Sequence, residues 1–96
     1  MARSVEWSPL ALDDLAEIDA YWWPIDPEQA EQLLFKIEDA ATFLTGVPGA
    51  GPIIDDFDAH KWRVRSSHYI LIYRVRRDTI EILRVFHASQ DWQGEL

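Results

Sequence analysis

Residues Lys61–His87 read KWRVRSSHYILIYRVRRDTIEILRVFH, and this stretch decides the fold. β-Branched and aromatic residues alternate with other types, and polar residues interrupt the run twice, the pattern of three consecutive strands. Two-residue turns at Ser66-Ser67 and Arg77-Asp78 set the register by counting. The first hairpin pairs Val64 with Tyr69 and Trp62 with Leu71. The second pairs Val75 with Ile80, Tyr73 with Ile82 and Tyr69 with Phe86. These residues share one face, apolar except for Arg84, which requires an acid, a bulge or the sheet's end beside it. The opposite face carries Lys61, Arg63, Arg65, Ile70, Ile72, Arg74, Glu81, Leu83, Val85 and His87. Arg74 stands across from Glu81, an opposite-charge pair that supports the register. A one-residue slip would exchange both faces.

The first face suits a covering layer of helices. The second mixes a basic row with an aliphatic strip, Ile70, Ile72, Leu83 and Val85, too apolar for plain solvent and too charged for a core. A partner groove is expected there.

The segment before the sheet supplies the cover. Arg3–Trp7 alternates as a short strand. Ser8 can then cap a helix, Pro9 suits its first position, and Asp13 and Asp14 favour its early turns. Ala11, Leu15, Ile18 and Trp22 form its apolar stripe, and Trp23-Pro24 ends it. Asp26-Pro27, with Gln29 in capping-box position, begins a second helix. Its stripe is Ala30, Leu33, Leu34, Ile37, Ala41 and Leu44, and Gly46 can close it. Gly46–His60 is a Gly/Pro-rich loop in which Ile53, Ile54 and Phe57 act as anchors and Asp55, Asp56 and Asp58 form an acidic patch. Ala88–Leu96 is a polar tail bearing Trp92. Following strand, helix and helix, the next strand should run antiparallel to the first. The expected architecture is α+β, β-α-α-β-β-β, a helical hairpin on one face of an antiparallel four-stranded sheet.

The 96 residues suffice for one small domain, so residues 1–96 are expected to form a single unit. No apolar run approaches the roughly 20 residues of a membrane helix. MARSVEW is not a secretory signal, and with cysteine absent there are no disulfides or thiolate metal sites. A cytoplasmic location is expected. The net charge of −8 hides a division: residues 1–59 hold two basic residues against thirteen acids, and residues 60–96 seven against four. The acidic total opposes non-specific binding to a nucleic-acid backbone.

Catalytic signatures are scarce, with no G-x-S-x-G, P-loop, H-E-x-x-H or G-x-G-x-x-G. His68 and His87 face each other in this register, but two imidazoles without a carboxylate make a poor metal site, and neither metal nor cofactor is expected. Lys61, Arg63 and Arg65, with Arg74 nearby, could grip phosphate. Acid–base chemistry beside them would fall to His87 or Glu81. Trp23 and Trp92 lie off the apolar stripes and are candidate partner anchors.

The ordered motifs are also informative together: W-S-P-L-A-L-D-D-L-A-E-I at Trp7–Ile18, D-P-E-Q-A at Asp26–Ala30 and P-G-A-G-P at Pro48–Pro52. Y-I-L-I-Y-R-V at Tyr69–Val75 and I-E-I-L-R-V-F-H-A-S-Q-D-W at Ile80–Trp92 complete the set. The chain resembles the RelE/ParE superfamily of bacterial type II toxins over nearly its whole length. The resemblance implies one of two mechanisms: messenger-RNA cleavage on the ribosome in the RelE branch, or poisoning of DNA gyrase in the ParE branch. Lys61 and Arg63 match the basic second-strand positions of the nucleases, and a nuclease here would use Lys61, Arg63 and His87. Ile70 stands where those nucleases carry arginine, and neither arginine nor tyrosine follows His87. The H-A-S-Q-D-W ending is more similar to the ParE branch.

The resemblance therefore implies a non-enzymatic gyrase inhibitor held inactive by a ParD-like antitoxin, in a toxin–antitoxin hetero-oligomer that reaches DNA only through the antitoxin. A relic acting only in promoter autoregulation is the further alternative. The antitoxin is expected to cover Ile70, Ile72, Leu83 and Val85 and to place acids at Arg63, Arg65 and Arg74.

Overall fold

Ser8 turns the first strand into the first helix. In the computed structural model, which describes residues 3–54, 57–90 and 92–95, its Oγ accepts the Ala11 N–H at 3.0 Å and donates to the Leu83 carbonyl at 2.7 Å. Strand β1 (Ser4–Trp7) thus passes directly into helix α1 (Pro9–Trp22), with Pro9 in the first turn. The Ile25 and Asp26 N–H groups both donate to the Trp22 carbonyl, at 3.0 and 2.8 Å, reversing the chain tightly. Asp26 Oδ1 accepts the Gln29 N–H at 3.2 Å and starts α2 (Pro27–Gly46). Only half of the capping box operates, because the Asp26 N–H is taken by Trp22.

Strands β2 (Ile53–Ile54), β3 (Ala59–Arg63), β4 (Tyr69–Arg76) and β5 (Thr79–His87) follow, then a 3₁₀ turn at Trp92–Glu95. The helices pack on one face of a five-stranded sheet of order β1-β5-β4-β3-β2. The sheet is mixed, since β1 runs parallel to β5 and the other pairs are antiparallel. This corrects the expected four-stranded antiparallel sheet. The strand after the helices does run opposite to β1, but it is the two-residue β2, which reverses the direction of every later strand.

The hairpin register holds where turn counting reaches it: Trp62 pairs with Leu71, Tyr73 with Ile82, Arg74 with Glu81 and Val75 with Ile80. It shifts beyond Tyr73. Ile72 pairs with Arg84 and Tyr69 with His87, so Leu83 is the extra residue of a bulge. Val85 consequently turns beneath the helices and Phe86 to the other side, the reverse of the expected arrangement.

The main core joins Ala11, Ile18, Leu33, Ile37, Ala41 and Leu44 of the helices to Val64, Leu71, Tyr73, Ile80, Ile82 and Val85 of the sheet. The Gly/Pro-rich loop is pinned to it by Tyr73, whose hydroxyl donates to the Pro48 carbonyl at 2.8 Å and accepts the Gly51 N–H at 3.0 Å. A Cβ at position 51 would land on the Lys61 carbonyl oxygen, so the loop closes only over glycine.

Candidate functional site

The outer face of the sheet is not the bare strip expected. Ile54, Ala59, Ile72, Phe86 and Trp92 form a second, smaller core there, with Ile70 and Leu83 partly buried against it. Ile72 is fully buried, and Val85 lies on the helical side. Trp92 stacks on Phe86 at 6.4 Å and is buried, closing the chain's own sheet rather than awaiting a partner. The partner groove placed on Ile70, Ile72, Leu83 and Val85 is therefore corrected. The cause is the bulge together with anchoring by β2 and the tail. Of the three acids expected to form a patch nearby, Asp58 is exposed, while Asp55 and Asp56 lie outside the described residues.

The basic row survives only in part. Lys61, Arg63 and Arg65 are exposed, with Lys61 Nζ 5.8 Å from the Trp92 ring centroid and Arg63 Nε donating to the Ser67 carbonyl at 3.4 Å. Glu81 lies 3.6 Å from both Arg74 and Arg76, which offsets part of the positive charge at that end of the face. His87 does not join Lys61 and Arg63. Those two pair with Ile72 and Ile70 on the outer side, whereas the bulge sets His87 opposite Tyr69, which packs towards the helices. His87 stacks with His68 at 5.8 Å and meets Tyr69 edge-on at 5.2 Å. Its Nδ1 is held by the Ser89 hydroxyl at 2.6 Å, and the Ser89 N–H donates to it at 3.1 Å. A phosphate gripped by the row would have no imidazole at hand. Among the described residues no group of three or more His, Cys, Asp or Glu could hold a metal ion, and no helix is long and apolar enough to cross a membrane.

A more pronounced concavity lies between α2 and the β3–β4 turn. One part, of about 340 Å³, is lined by Ala40, Phe43 and Trp62 with Lys36, Asp39 and Arg65 at its rim. Phe43 and Trp62 stack at 5.5 Å to form its floor. A second part, of about 420 Å³, continues past Leu33 to Trp22 and Tyr69. Lys36 Nζ donates to the Ser66 carbonyl at 3.3 Å where the two meet. The neighbouring sheet edge is open: β2 pairs only with Ala59 and His60, and the Lys61 N–H reaches Pro52, but no described strand lies beyond. Apolar floor, cationic rim and unpaired edge together suit an extended or helical segment of another protein.

Comparison with known proteins supplies the family. The family model described as ParE toxin of type II toxin–antitoxin system, parDE, matches residues 5–92. The chain belongs to the ParE toxin family. A relative in Sinorhizobium fredii (strain NBRC 101917 / NGR234), named "Putative toxin Y4kP", is 33% identical over 90 residues, spanning 94% of this chain and 93% of its own. Among solved structures, the chromosomal ParDE system of P. aeruginosa superposes with a TM-score of 0.78 at 22% identity, over 90% of this chain and 96% of that one. The isolated E. coli RelE toxin superposes at 0.56, over 98% and 94%, also at 22% identity. These two likenesses speak to the fold.

In this ParE-family toxin the sequence reading missed two features of the structure. The groove floor was hidden because Phe43 stands off the apolar stripe of α2. The second is the Asp14–Arg84 pair. Asp14 accepts Arg84 Nε and Nη2, both at 2.9 Å, and the Val85 N–H at 2.8 Å. The signal was present: an acid between Ala11 and Ile18 on a buried helix stripe, and an arginine on an apolar strand, each needing the other.

Proposed function

We propose that this ParE-family toxin inhibits DNA gyrase, and hence replication, by binding rather than by covalent chemistry, and that a ParD-like antitoxin neutralises it. The observation that carries this reading is the family match across residues 5–92. Two features support it. His87 lies away from Lys61 and Arg63, which separates the basic row from the imidazole a nuclease would use, and Glu81 is engaged by Arg74 and Arg76. Ile70 stands where the resembling nucleases carry arginine, so the third-strand cation of those nucleases is missing here.

The antitoxin segment seats in the groove between α2 and the β3–β4 turn. Apolar side chains cover Phe43 and Trp62, and acids meet Lys36, Arg63 and Arg65. The toxin acts as a single domain, residues 1–96, in the cytoplasm and without a cofactor. It is stored in a toxin–antitoxin hetero-oligomer that touches DNA through the antitoxin.

Purified toxin added to a gyrase supercoiling assay should block the reaction, and antitoxin should restore it. Ribosome-bound message should stay intact in parallel. Unimpaired supercoiling together with cleaved message, the cleavage vanishing in a Lys61→Ala, Arg63→Ala double mutant, would replace this reading with the nuclease one.

A further inference from the structure

The turn between the helices presents three large apolar side chains to solvent: Tyr21 is 63% exposed, Trp23 52% and Ile25 60%. Packing of the turn does not need them. Trp22 makes the inward contact, its indole N–H donating to the Tyr69 hydroxyl at 3.3 Å. Tyr21 stands edge-on to Trp22 with centroids 5.3 Å apart. Both backbone bonds to the Trp22 carbonyl and the ring of Pro24 hold the turn in shape. The result is a rigid aromatic knuckle, the composition that anchors protein interfaces at low entropic cost.

Charge indicates what covers it. Ser4–Phe35 contains no lysine, arginine or histidine against eight acids. Glu17, Asp26 and Glu28 are exposed around the knuckle, and Asp19 is half-exposed. Asp26 and Glu28 complement the positive pole of α2. The negative pole of α1 has no such complement: its last turn holds no basic residue, and Asp19 adds charge of the same sign. A helix end of this kind attracts a cation, and neither α1 nor the turn after it contains a basic residue. A nucleic acid or an anionic membrane would bring negative charge against it, and a second copy, at a net charge of −8, would approach against overall repulsion.

We propose that the Tyr21–Trp23–Ile25 knuckle docks the toxin's protein target, on a face of that target offering an apolar recess rimmed by lysine or arginine. This rests on the toxin reading and assigns the target a surface separate from the antitoxin groove. Trp23 and Ile25 enter the recess, and a cation of the rim meets Asp19 and the closing carbonyls of α1.

The test compares wild type with a Trp23→Ser, Ile25→Ser double variant and with Asp19→Lys. Each is measured for growth arrest on expression in bacteria, for gyrase inhibition, for antitoxin binding by calorimetry and for Tm. Both variants should arrest growth at least about tenfold less effectively while keeping antitoxin affinity within about twofold. Asp19→Lys should at the same time raise Tm, because lysine complements the helix pole. Lost action with gained stability is an outcome that a merely structural role would not produce. Full potency in either variant, or antitoxin affinity falling in step with potency, would overturn the proposal, as would a wild-type chain that arrests no growth. A wild type that arrests growth without inhibiting gyrase would remove the gyrase assignment alone, and growth arrest would still decide the knuckle.

Discussion

Asp14 and Arg84 carry more of this fold than their number suggests. Strand β1 covers β5 only as far as Ile82, so the outer edge of β5 beyond it needs partners from elsewhere. Ser8 serves Leu83 and Asp14 serves Val85, while the bidentate Arg84 contact offsets the burial of the carboxylate. Removing one member strands the other, which costs about 3–5 kcal/mol for a buried pair. Asp14→Ala should lower stability by that order in denaturant titration, whereas Asp14→Leu combined with Arg84→Met should recover most of it. Equal losses in the single and double mutants would show that the Val85 N–H, not the ion pair, is what Asp14 protects. Tyr73 makes a different single-residue case. Burial pushes its phenol above the ordinary value of 10.0, partly opposed by the Gly51 hydrogen bond. A folded state that holds this proton more tightly is fully stabilised below that value and loses the contribution as pH rises past it. Alkaline unfolding should therefore steepen from about pH 10 and be shallower in Tyr73→Phe, as followed by circular dichroism.

At the scale of elements, what was legible was local. Helix starts at Ser8-Pro9 and Asp26-Pro27, the helical stripes, and the pairing of Trp62, Tyr73 and Val75 follow from spacing and turn chemistry within a few residues. The errors share a cause: each depends on one or two residues without a periodic signature. Two-residue β2 is too short for alternation to show, yet it decides whether β1 is parallel or antiparallel to β5. The bulge at Leu83 inserts one residue and exchanges Val85 with Phe86, and only the misplaced Arg84 hinted at it. The supposed groove is consequently core, with Ile72 sealed by Ile54, Phe86 and Trp92. Ile72→Asp should therefore cost more than about 3 kcal/mol by burying an unpaired charge. The mutant should lose its near-ultraviolet circular dichroism. A folded Ile72→Asp protein with weakened antitoxin binding would instead restore the outer-face groove.

Across the whole molecule, seven of the nine lysines and arginines lie from His60 onward, while thirteen of the seventeen acids lie before it. The two surfaces therefore call for partners of opposite sign: a basic one at the helical turn and an acidic one along β3 and its groove. Lys36 is the exception that matters, because α2 carries it across to the cationic rim beside Arg65. Charge at such a rim mainly accelerates encounter, whereas the aromatic floor, covered on binding, sets how long the complex lasts. In stopped-flow measurements with the antitoxin, Lys36→Ala with Arg65→Ala should slow association by about tenfold at low salt. The difference should shrink as ionic strength rises and the Debye length falls below about 8 Å. Trp62→Ala should leave association nearly unchanged and speed dissociation by at least about tenfold, the cost of truncating a central aromatic. Phe43→Ala should act in the same direction, because the two rings support each other in one stack. If the charge changes act on dissociation and the aromatic changes on neither rate, the antitoxin does not use this groove, and the aromatic turn between the helices becomes the surface to test for it.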